Sequence, residues 1–129
     1  MHPVTIKQFE KLQESYPEAT MQPLPSGAAL VTIPAFPIPS GWSAASTTVR
    51  FLVPVGYPGP RLDCFWADSG LRLANGSLPQ ASNDPNYIPE TTHAGLWFSW
   101  HTVDNMWNPA KDSMRSWVGM VAARFEKPQ

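Results

Sequence analysis

Thiol chemistry is nearly missing from this chain of 129 residues, which holds a single cysteine, Cys64. One cysteine excludes an internal disulfide and fits a reducing compartment. Basic runs are missing too. Nine Lys and Arg stand against ten Asp and Glu, for a formal net charge of −1, and none of the cations cluster. Nucleic-acid binding needs a Lys/Arg stripe to displace counterions, so that class is set aside. No apolar stretch approaches the roughly 18–20 residues of a membrane span. The opening MHPVTIKQFEKLQ contains no signal-peptide apolar region. A soluble, cytoplasmic protein is therefore expected. Gly-rich phosphate loops and nucleophile-elbow motifs are also lacking, and no cofactor is expected.

Proline and tryptophan are what the chain has in plenty, with 15 and six residues. Prolines scattered among apolar runs signal many short, stiff connections rather than a low-complexity tail. Charged residues are few and the apolar share is ordinary, which predicts one packed domain over residues 1–129.

Ile6, Phe9, Leu12 and Tyr16 recur near the helical period, with Thr5 as a candidate cap and Pro17 as the stop. Residues 28–33 form a short run rich in β-branched side chains and read as a strand. Prolines 34, 37 and 39 predict a stiff loop after it. Residues 47–53 alternate: Val49, Phe51 and Val53 point one way, Thr48, Arg50 and Leu52 the other, as in a half-buried antiparallel strand. Residues 56–60 form a hard turn, and 62–66 a short aromatic strand that places Cys64 on one face with Leu62 and Trp66. From 67 to about 105, Gly and Pro break every pattern, and a long irregular crossover is expected. Asn108-Pro109 looks like a helix start. Met114, Trp117, Val118, Val121 and Phe125 then form a helical stripe. The order predicts an α+β fold: N-terminal helix, antiparallel strand meander, crossover, C-terminal helix.

Few residues could carry chemistry. Cys64 is either a core filler or a nucleophile, and the adjacent Asp63 works against a thiolate. His101 is a general base, an oxyanion stabiliser or a structural anchor of its loop. His93 and His101 match no metal-ligand spacing, and no metal is expected. Trp97, Trp100, Trp107 and Trp117 are either core or the anchors of a groove for a protein partner.

The stretch from Phe36 to Pro79, FPIPSGWSAASTTVRFLVPVGYPGPRLDCFWADSGLRLANGSLP, resembles the core of the prokaryotic ubiquitin-conjugating family E. The closing segments Phe98-Ser99-Trp100-His101, Trp107-Asn108-Pro109 and the helix from Asp112 resemble that family's ending. The resemblance runs from about Pro37 to the end of the chain. Tyr57-Pro58 and Trp107-Asn108-Pro109 also resemble marks of the wider ubiquitin-conjugating (UBC-like) superfamily. The resemblance implies a UBC-like fold and a role in attaching a ubiquitin-like protein, beside an activating enzyme and a JAB-type metalloprotease. Active members carry their cysteine in the crossover, after a Gly-x pair; here that stretch is Gly95-Leu96-Trp97, and Trp97 falls in the thiol's slot. Three readings stay open. The chain is a non-catalytic variant that binds a ubiquitin-like protein, with Trp97, Trp100 and Trp107 as the partner surface. It is an active enzyme forming a thioester through Cys64, assisted by His101 or Asp104. Or it is an unrelated interaction module.

Overall fold

A computed structural model describes residues 2–100 and 107–129 of the chain. The architecture is α+β, as the order of elements predicts. Among the described residues, two helices, α1 (Pro3–Ser15) and α2 (Met114–Phe125), accompany six strands. These are β1 (Thr20–Pro23), β2 (Ala29–Pro37), β3 (Ser46–Val53), β4 (Phe65–Ala67), β5 (Ser82–Tyr87) and β6 (Ala94–Phe98). The strands form one antiparallel sheet in the order β1-β2-β3-β4-β6-β5. Both helices pack on one face of it, and the main core lies between. Its buried members include Phe9 and Leu12 from α1, Val49 and Phe51 from β3, Phe98 from β6, and Trp117 and Phe125 from α2.

The first helix starts three residues earlier than expected, with its cap at position 2 instead of 5. His2, not Thr5, is the cap, its Nδ1 accepting from the Val4 N–H at 3.1 Å, and Pro3 fills the first position. Thr5 is buried inside the helix, while Ile6 is exposed. Tyr16 closes α1 and stacks on Phe36 at 5.6 Å.

The loop expected from Pro34 onward is corrected. β2 continues to Pro37, because a register shift between Ile33 and Phe36 takes Pro34 out of the hydrogen-bond ladder. Ala35 absorbs the extra residue with φ of 53°. β1, which has no alternating pattern of its own, pairs beside it from Thr20↔Thr32 to Pro23↔Ala29.

The long irregular crossover is corrected as well. Between 67 and 100 it contains two full strands, and β6 enters the sheet between β4 and β5. β5 is hard to read because its outward and inward residues are nearly all polar (SNDPNY), so no hydrophobic alternation marks it. β1 and β5 are the outermost strands, and each carries a proline, Pro23 and Pro85.

The second helix begins at Ser113, not Asn108. Asn108 folds a closed turn, its Oδ1 accepting from Ala110 N–H at 2.9 Å and its carbonyl from Asp112 N–H at 2.7 Å. Ser113 then supplies a capping box with Ser116. The stripe of Met114, Trp117, Val118, Val121 and Phe125 is buried as its spacing requires.

Candidate functional site around Cys64 and the tryptophans

The expected strand from 62 to 66 is shorter than predicted, and this changes where the thiol points. Cys64 takes φ of 52°, in the left-handed region that side chains rarely adopt. That twist breaks the alternation. Leu62 and Phe65 both enter the core under the helices, while Cys64 and Trp66 lie on the outer face of the sheet. The Cys64 N–H donates to the Trp100 carbonyl at 2.6 Å, tying this backbone to the segment just after β6.

Cys64 is half-buried, against Trp66 and Trp97. Burial pushes its thiol above the ordinary range. A hydrogen bond from the Trp97 indole pulls the other way, but the charge of Asp63 adds to the rise. A reactive thiolate needs the opposite environment.

The tryptophans do not form one patch. Trp97 faces outward on β6, with Trp66 opposite it on β4 and Asn83 opposite it on β5. Trp100 turns to the helix side, where its indole N–H donates to the Met120 carbonyl at 3.2 Å. Trp107 also packs on that side and donates to the Pro58 carbonyl at 2.9 Å. Its ring lies 5.9 Å from that of Tyr57, so the two proline motifs quoted from the sequence meet in space. Tyr57 in turn donates its hydroxyl to Gln8 Oε1, which also accepts from Met114 N–H at 3.1 Å. Burial and the charge of Asp112 push the Tyr57 phenol far up, so it stays a donor.

Behind Trp100 sits a residue that spacing alone does not single out. Arg124 is buried, and its guanidinium lies 5.1 Å from the Phe98 ring and 5.9 Å from each of Trp42 and Trp100. It donates to the carbonyls of Gln80, Lys127 and Gln129. The arrangement holds the end of α2, the segment after it and Trp100 together. Burial pulls the Arg124 pKa down.

His101 and Asp104, the expected assistants of a thiol, lie outside the described residues. His93 is exposed. Among the described residues, no three His, Cys, Asp or Glu come together as a metal site, and no helix is long and apolar enough to cross a membrane.

Residues 10–128 match the family model described as Prokaryotic E2 family E. The match takes in nearly the whole chain, and the chain belongs to that family. No curated protein and no solved structure matches it.

Proposed function

We propose that this chain works in a prokaryotic ubiquitin-like conjugation system as a divergent E2-like protein, one that binds a ubiquitin-like modifier without forming a thioester to it. Residues 1–129 act as one UBC-like unit in the cytoplasm, alongside an activating enzyme and a JAB-type metalloprotease. Family membership supports the setting. The observation that carries the non-catalytic reading is the environment of the only thiol. Cys64 is half-buried beside a carboxylate, with its pKa pushed up. A thioester needs a thiolate at neutral pH, and an indole at position 97 supplies no comparable nucleophile. Trp97, Trp100 and Trp107 serve the partner differently in this reading. Trp97 contacts it from the sheet, while Trp100 and Trp107 hold the segments on either side of His101 and Asp104.

The test is a charging assay. The chain is co-expressed with an activating enzyme and a ubiquitin-like protein and run on a non-reducing gel, wild type beside Cys64→Ser. The expected result is co-purification of the modifier with no thiol-sensitive band in either. A band that disappears in Cys64→Ser would replace this reading with an active enzyme using Cys64.

A further inference from the structure

A cavity of about 250 Å³ opens between the start of α1, the turn before β2 and the turn after β3. Thr5 lines it and is only 4% exposed. Among the described residues, three polar or charged residues are buried: Thr5, Thr47 and Arg124. Thr47 Oγ1 accepts from the Asp68 N–H at 2.9 Å, and Arg124 donates to three carbonyls. The Thr5 hydroxyl bonds to no described residue, yet it is not among the polar atoms sealed without a partner inside the protein. It therefore opens onto the cavity that Thr5 lines. Buried polar groups normally find a partner, so an idle one facing a cavity marks a place for a ligand.

The setting favours an anion. Thr5 stands in the first turn of α1, a helix of 13 residues with no acidic side chain in that turn. The N-terminal end of a helix is positive. His2 takes the Val4 N–H on its ring and the Ile6 N–H on its carbonyl, whereas the Thr5 N–H has no acceptor among the described residues. His2 also lines the cavity. Because its Nδ1 accepts from Val4, its neutral ring carries the proton on Nε2, a donor without a described partner. No residue lining the cavity bears a carboxylate, and Tyr57 lends only its ring, since its hydroxyl donates to Gln8. Val53, Pro54 and Pro58 supply apolar wall.

We propose that this cavity binds a small organic monocarboxylate. Its carboxylate accepts from the Thr5 hydroxyl at the positive end of α1, and its short apolar body lies against Val53, Pro54 and Pro58. A charge-assisted bond there spends the donor that the protein leaves idle. Donor number argues against a phosphate, whose additional oxygens and second charge would find too few partners here. Benzene fits an apolar cavity of about 150 Å³, so an acid built on one ring or one short branched chain fits this larger one. The inference goes beyond the modifier-binding reading and does not rest on it.

The test uses the full chain, labelled with nitrogen-15, with benzoate and its neutral counterpart benzamide as probes at constant ionic strength. The backbone amide resonances of Thr5, Gly27 and Gly56 report occupancy. Benzoate is expected to move them with an affinity about tenfold above that of benzamide. Thr5→Val keeps the shape of the side chain and removes the hydroxyl. It should remove most of that preference, while Thr5→Ser, which keeps the hydroxyl, should retain it. Thr5→Val should also leave the urea midpoint no lower than in the wild type, because the hydroxyl it removes has no protein partner. Equal affinities in the wild type would overturn the proposal. Resonances that neither probe moves would overturn it too, in favour of water as the occupant. An undiminished preference in Thr5→Val, or a lowered urea midpoint, would overturn it by giving the hydroxyl a purely structural role. Failure of the charging assay would leave this outcome untouched, because no modifier is present.

Discussion

At the residue scale, the thiol and one carboxylate depart from ordinary behaviour in opposite directions. Cys64 is raised by burial. Its alkylation by iodoacetamide should therefore rise with pH through a midpoint above the free-cysteine value of about 8.5. A midpoint near or below neutrality would mark an activated thiol and contradict the environment described. Asp84 goes the other way. Its side chain is only 3% exposed. Burial pushes its carboxyl up, but the Arg72 guanidinium at 2.7 Å, the Gly70 N–H and the Ser69 hydroxyl outweigh that and hold it below the usual range. A carboxyl lowered in the folded state stabilises fully above its unfolded value, about 3.9, and loses that contribution as pH falls through the folded value. Asp84→Asn should cost about 1–3 kcal/mol at neutral pH. Urea melts of the two proteins should converge as pH drops below about 4. A gap that persists in acid would mean the carboxylate charge contributes little.

At the element scale, close contact between strands controls the sheet. Gly95 in β6 lies so near β4 that a β-carbon there would overlap the Ala67 carbonyl oxygen. Both sides of the contact are strand backbone, which yields little. Gly95→Ala should destabilise the chain by about 2 kcal/mol or more in chemical denaturation, well beyond an ordinary surface change. The elements differed in how plainly the sequence announces them. β3 and α2 carry full apolar periods, Val49-Phe51-Val53 and Trp117-Val118-Val121-Phe125, and periodicity is a direct physical record of burial. β2 was half legible: its β-branched start is clear, but Pro34 hides the continuation that the bulge at Ala35 permits. β1 and β5 were illegible. Both sit at the margins of the sheet with few apolar side chains (Met21 in β1, Tyr87 in β5), and only pairing to a neighbour makes them strands. Asn108 misled for a related reason: the side chain that caps helices also closes turns.

At the scale of the whole molecule, a nest of rings joins the parts. Phe125 lies 5.2 Å from Trp42, 5.6 Å from Phe65, 5.7 Å from Phe98 and 6.0 Å from Phe36, so one side chain of α2 touches four separate segments. Phe125→Ala should cost about 3–5 kcal/mol, read as a lower urea midpoint with the slope unchanged. Little change would mean that the surrounding rings collapse into the space. The candidate site was less legible than this core. Cys64 and Trp97 stand out as residue types, but their contact depends on the left-handed turn at Cys64, which no local pattern encodes. Arg124 looks like an ordinary surface cation in sequence, and only helix packing reveals it as enclosed. The prolines of β1 and β5 bear on how the molecule meets others. An open sheet margin is a template for any passing strand, and a proline there removes a donor and spoils the fit. With Pro23 on one margin and Pro85 on the other, the sheet is protected against growing sideways into fibres.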